Sequence, residues 1–203
     1  MDLIMQQNRK ILLVDDEARI VDELFKVLTP QEPGNDELGE LEDHLFGKSE
    51  SNKKKTISYD VCRCQQGDEA IARVQKALEE KHPFAVAFID VQMPPGPDGV
   101  TTAEQIRKLD PNIQIVIITG HSDFDVCEIT ERIPPEDKLL FLQKPIHSQE
   151  IAQFALALTA KWQSEHLLRK QNETLVELNQ SLKENIELRN QIESQLKHTA
   201  EES

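Results

Sequence analysis

The sequence predicts an α/β fold: a doubly wound, five-stranded parallel sheet with helices on both faces, ending in a long C-terminal α-helix. Three observations predict it. Short apolar runs recur along the chain, amphipathic helical patterns separate them, and no Gly or Pro occurs from Ser148 to Ser203.

The runs are Lys10 to Asp15 (KILLVD), Ala85 to Asp90 (AVAFID), Ile113 to Thr119 (IQIVIIT) and Leu139 to Gln143 (LLFLQ). Continuous apolarity over this length suits strands covered on both faces, the condition of a parallel sheet. Tyr59 to Arg63 (YDVCR) alternates more and suits an outer strand. After the first run, Ile20, Val21, Leu24, Val27 and Leu28 share one helical face. Asp68 opens a second helix whose apolar face is Ala70, Ile71, Val74, Ala77 and Leu78. Val100 to Leu109 and Phe124 to Arg132 read as two shorter helices. Five alternations of strand and helix argue for layered α/β architecture, with right-handed crossovers placing helices on both faces.

The expected organisation is an N-terminal arm (1–9), a compact domain (10–162) and a helical tail (163–203). Residues 29–56 do not fit the minimal alternation. They hold Pro30, Pro33, Gly34, Gly39, Gly47 and the polar run Lys48 to Lys55, with Leu38, Leu41 and Leu45 at the spacing of a short acidic helix. A connection of this length is a tolerated surface insertion or a docking element. In the tail, Ile151, Phe154, Ala155, Leu158 and Trp162 form a face suited to the sheet. Beyond it, Leu168, Leu175, Leu182 and Leu196 repeat every seven residues, with Leu178 and Ile192 three residues on and Asn185 and Arg189 interrupting the seam. That register predicts a coiled coil and a homodimer through the C-terminal helix; the competing expectation is a solvated single helix.

Net charge is −14, from 23 Lys plus Arg against 37 Asp plus Glu. Such a surplus opposes nucleic-acid phosphates and anionic membranes, and Lys53-Lys54-Lys55 is too short to make a basic stripe. No apolar run reaches the roughly 18–20 residues of a membrane span, and Met1 to Lys10 lacks a signal-peptide core. The expectation is a cytoplasmic protein without nucleic-acid or membrane partners. Cys62, Cys64 and Cys127 show no CxxC pair and are expected to be buried, reduced thiols.

The chemistry lies at the strand ends. Asp15 and Asp16 end the first strand, Asp90 the third, Thr119 the fourth and Lys144, before Pro145, the fifth. In a parallel sheet these ends open on one edge, where α/β folds bind ligands. Three converging carboxylates repel unless a cation joins them, and hard oxygen donors select Mg²⁺. A carboxylate beside Mg²⁺, an ammonium and a hydroxyl is equipped to accept a phosphoryl group.

These motifs resemble those of response-regulator receiver domains in two-component signalling. The matching stretches are Lys10 to Glu17, Phe88 to Pro94 followed by Asp98-Gly99, Ile117 to Gly120 and Phe141 to Pro145. The resemblance implies a flavodoxin-like sheet of order 2-1-3-4-5. It implies Asp90 as phosphoacceptor, with a sensor histidine kinase or phosphotransfer protein as donor. Asp16, Asp90 and the Gln92 backbone carbonyl would bind Mg²⁺, and Asp15 would do so mainly through water. Thr119 and Lys144 would hold the phosphoryl oxygens, and the Lys144–Pro145 bond would be cis. Phe141 stands where the family keeps a switching aromatic, with a plain core role as the competing reading.

There are departures. The loop Pro95-Gly96-Pro97-Asp98-Gly99 is one residue longer than the usual pattern, and His121 lies two residues past Thr119. A Mg²⁺-dependent phosphohydrolase with Asp90 as nucleophile is the alternative, but such enzymes place an acid where Gln92 stands. His166 and His198 lack the flanking pattern of kinase phosphoacceptors. The tail is either itself the effector or a linker toward an output domain; Asn190 to His198 loosely resembles helices that precede cyclic-dinucleotide synthase or hydrolase domains.

Overall fold

The computed structural model describes residues 7–30, 57–120 and 126–201, with the last helix's side chains described to residue 192. Its strands are β1 (Lys10–Val14), β2 (Asp60–Cys64), β3 (Val86–Asp90), β4 (Gln114–Thr119) and β5 (Leu139–Gln143). Its helices are α1 (Ala18–Leu28), α2 (Gly67–Glu79), α3 (Gly99–Leu109), α4 (Val126–Arg132) and α5 (Ser148–Glu201), with a 3₁₀ turn over Glu136–Lys138. All five strands are parallel, in the order β2-β1-β3-β4-β5. The expected fold class, strand order and long C-terminal helix are all present.

Alternation along the strands divides the core into two layers. Leu12, Val14, Ala87, Ile89, Ile115 and Ile117 face one way and pack with Ala70, Val74, Ala103 and Ile106 from α2 and α3. Ile11, Leu13, Val86, Phe88, Val116 and Ile118 face the other, against Leu24 and Leu28 of α1 and Ile151, Ala155, Leu158 and Trp162 of α5. Each fully buried Leu, Ile or Phe contributes about 1.5–3 kcal/mol relative to exposure, so the two layers fix the sheet's register. Phe154 is only partly buried beside its predicted neighbours.

The chain divides into two units, Met1–Trp162 and Gln163–Ser203. In the second, the apolar seam of α5 is exposed: Leu168, Leu175, Leu178, Leu182 and Ile192 are each about half exposed or more. Among the described residues no helix is long and apolar enough to cross a membrane.

Several expectations change. β1 stops at Val14, so Asp15 begins the following loop, where it accepts a hydrogen bond from the Glu17 amide. α2 starts at Gly67, one residue early, because Asp68 sits in its first turn, where acids favour the helix dipole. The three thiols are free but not alike: Cys64 is buried, Cys62 half-buried and Cys127 exposed. Cys62 lies on an edge strand and Cys127 in the first turn of α4, so neither is enclosed. The Leu38 to Leu45 helix, the Lys53 run, His121, Phe124, and the side chains of Leu196 and His198 lie outside the described residues.

Candidate phosphoacceptor site

The carboxyl edge of the sheet gathers the charged residues. β3 ends in Asp90, which is buried, as is Asp15 just beyond the neighbouring β1. Asp16 follows, partly exposed. One carboxylate oxygen from each of Asp15, Asp16 and Asp90 lies within 4.8 Å of the others. Lys144, immediately after β5, reaches across: its Nζ is 2.8 Å from Asp90 Oδ1 and 3.2 Å from Asp15 Oδ2. The Lys144–Pro145 bond is cis, as the resemblance implied.

Backbone bonds fix each side chain. The Gln92 amide donates to Asp90 Oδ2 at 3.1 Å, and the Glu17 amide donates to Asp15 Oδ1 at 2.9 Å. The Lys144 amide donates to the Thr119 carbonyl at 2.8 Å, tying the loop after β5 to the end of β4. Thr119 is half-buried at that end, one residue past the Ile118 that pairs with Asp90. Phe141 pairs with Ile117 and packs, partly buried, against the α2–α3 layer.

Burial pushes the Asp15 carboxyl up; the Glu17 amide and Lys144 oppose the rise, and the Asp90 charge adds to it. Burial works against the Lys144 ammonium, but its bonds and charge contacts with Asp90 and Asp15 prevail and raise its pKa. An acid harder to ionise beside a base harder to deprotonate marks a cluster short of positive charge. Three carboxylates against one ammonium leave an excess that a hard divalent cation would balance, and the all-oxygen donor set fits Mg²⁺.

Asp98 and Gly99, already part of the matching motif, contribute to the site, as does Gln66, which was not singled out in the sequence. Asp98 caps α3, its carboxylate accepting from the Thr101 amide at 2.6 Å. Gly99 lies so close to Asp90 that a Cβ there would sit 1.9 Å from the Asp90 carbonyl oxygen. Gln66 donates from Nε2 to the Pro94 carbonyl at 3.3 Å, bracing the longer loop. An Asp directly before a helical pattern is a readable cap signal. The Gly99 and Gln66 contacts have no local signature, since both join residues distant in sequence.

The family model of the response regulator receiver domain matches residues 42–155. The chain belongs to the response regulator receiver family. The match begins after β1, so the receiver's Asp15 and Asp16 are placed by the structure rather than by the family match. A CheY-like receiver domain protein from Methanospirillum hungatei is 18% identical with a TM-score of 0.55, covering 77% of this chain and 98% of that one. A structure described as an adenylate cyclase from Rhodopirellula baltica is 24% identical with a TM-score of 0.55, covering 83% and 97%. NtrX from Brucella abortus, solved with ATP, is 19% identical with a TM-score of 0.54, covering 80% of this chain and 29% of that one. These likenesses show the receiver fold. No curated protein matches the chain.

Proposed function

We propose that this receiver is a phosphorelay response regulator that takes a phosphoryl group onto Asp90 from a histidine kinase or phosphotransfer protein. The observation that carries the reading is Lys144 Nζ lying between Asp90 and Asp15 at the mouth of the acidic cluster. In the transfer, an Asp90 carboxylate oxygen attacks phosphorus, the O–P bond forms and the donor's P–N bond breaks. The product is an acyl phosphate, and the imidazole leaves. Lys144 supplies positive charge to the phosphoryl oxygens, where transition-state charge spreads. Asp16, Asp90 and the Gln92 carbonyl would hold Mg²⁺, with Asp15 acting mainly through water; the ion would neutralise the same oxygens. The Gln92 and Glu17 amides keep Asp90 and Asp15 oriented.

Thr119 moves toward the phosphoryl group and Phe141 turns inward, biasing the end of the sheet and α5. Readout is through the tail. Its exposed leucines support self-association as a homodimer, either as the effector itself or as a linker to an output domain. On this reading the chain is a cytoplasmic signalling module rather than an enzyme acting on an external substrate.

The test is incubation with a ³²P-labelled histidine kinase in Mg²⁺ and in EDTA. Label transfers to wild type in Mg²⁺ only, and Asp90→Asn takes none. Equal labelling of Asp90→Asn would refute the assignment.

A further inference from the structure

Beside the phosphoacceptor lies a concavity that shares Gln92 with it but is otherwise not used by the phosphorelay reading. It is about 500 Å³ in volume and opens between the loop after β3 and α4. Its walls include Val91, Met93, Val100 and Ile129, with Glu128 and Arg132 contributing the charged part of α4. The volume falls within the roughly 300–1,000 Å³ of small-molecule sites, and an apolar lining with few polar groups is their usual character.

The charges around it are unequally committed. The Asp98 carboxylate caps α3 through the Thr101 amide. Glu104 lies between Lys108, at 2.7 Å, and Arg132, which reaches it from Nε at 3.3 Å and Nη2 at 3.0 Å. Arg132 thus keeps its Nη1 donors outside that pair. The cavity also receives the N-terminal end of α3, the positive end of its dipole, at Val100. Glu128 and the capping Asp98 are the opposing charges of the lining, and they disfavour a ligand with more than one negative group.

We propose that this cavity binds a small amphipathic monoanion, its apolar body against Val91, Met93, Val100 and Ile129 and its anionic group at Arg132. The segment Val91–Met93 leads directly from Asp90 and forms one wall, so occupancy and the state of Asp90 are coupled. The binding stands without the phosphorelay reading; the coupling rests on it.

The probe is 1-anilinonaphthalene-8-sulfonate, an aromatic body with one sulfonate, titrated by fluorescence into the full chain. One saturable site is expected. Glu128→Trp, an exposed position that fills the mouth, removes it, whereas Glu128→Ala does not. Arg132→Gln weakens it roughly three- to tenfold, as expected for an exposed charge-assisted bond, and Arg132→Lys restores most of the loss. The uncharged analogue N-phenyl-1-naphthylamine binds wild type and Arg132→Gln alike. Absence of saturable binding, or binding unchanged in Glu128→Trp, overturns the site. Sulfonate binding indifferent to Arg132→Gln overturns the assignment of a monoanion. Beryllofluoride is expected to shift probe affinity about fivefold or more. Intact binding without that shift would overturn the coupling while leaving the site, and would weigh against Asp90 as acceptor only if beryllofluoride also failed to bind.

Discussion

Gly99→Ala isolates the contact between α3 and β3, the strand that carries Asp90. The added Cβ would lie 1.9 Å from the Asp90 carbonyl oxygen and 2.7 Å from its carbon. An ordinary C···O contact is about 3.3 Å or more, so the two backbones must separate by roughly 1.4 Å. No side chain can swing away, because the obstruction is backbone. The Gly99 amide also donates to the Val91 carbonyl at 2.8 Å, and that bond lengthens with the separation. Overpacking costs about 1–3 kcal/mol and the weakened bond about 1 kcal/mol more. One effect opposes this: alanine's smaller unfolded-state entropy, which also underlies its better helix propensity, worth up to about 1 kcal/mol. The clash prevails by about 1–3 kcal/mol. Urea unfolding followed by the fluorescence of the single, buried Trp162 measures it. The midpoint falls, and phosphoryl acceptance slows because Asp90 shifts with its carbonyl. An unchanged or raised midpoint would refute the reasoning, since it would mean that the helix start accommodates a methyl without moving β3.

Arg107 is buried and donates to the carbonyls of Pro111, Ile113 and Lys138; Pro111 keeps a bond from Lys138 Nζ at 3.4 Å, so Arg107→Leu removes the guanidinium donors of the other two and costs about 2–4 kcal/mol in the same unfolding assay. Cys62 is lowered to about 7 chiefly by a hydrogen bond from Cys64, whose own thiol is pushed up. In a Cys127→Ser background, iodoacetamide labelling of Cys62 therefore rises from acid pH with a midpoint near 7, and Cys64→Ala moves that midpoint upward. Lys144→Met leaves Asp15 and Asp90 without their ammonium; phosphoryl transfer falls about 100-fold or more, while the stability gained on adding Mg²⁺ exceeds that of wild type. The proposed self-association through the exposed seam predicts a wild-type dimer in sedimentation equilibrium and a monomer for Leu175→Ser with Leu182→Ser; equal masses would count against it.

Reading the fold from sequence worked where burial on both faces forces continuous apolar runs. Ile113 to Thr119 and Ala85 to Asp90 needed no more than their length and composition, and β4 and β3 lie within them. The outer strand was shifted by one residue because YDVCRC carries polar residues at both registers, and pairing with β1 decides between them. The convergence of Asp15, Asp16, Asp90 and Lys144 was legible because parallel strands share one carboxyl edge. Gln66, and the contact with Asp90 that requires glycine at the already noted position 99, were not, since loop bracing and close backbone approach depend on tertiary distances. The lowered Cys62 thiol was also hidden: a CxC spacing does not reveal that one sulfur donates to the other. Arg107 reads as an ordinary last-turn cation of α3, and only the fold shows that loop carbonyls enclose its guanidinium.

The most direct measurement is chemical trapping of the phosphorylated residue. The protein is incubated with acetyl phosphate and Mg²⁺, reduced with borohydride, digested and mapped by mass spectrometry. Homoserine is expected at position 90, absent when Mg²⁺ is chelated. Reduction products at another residue, or none at any, would contradict Asp90 as the phosphoacceptor.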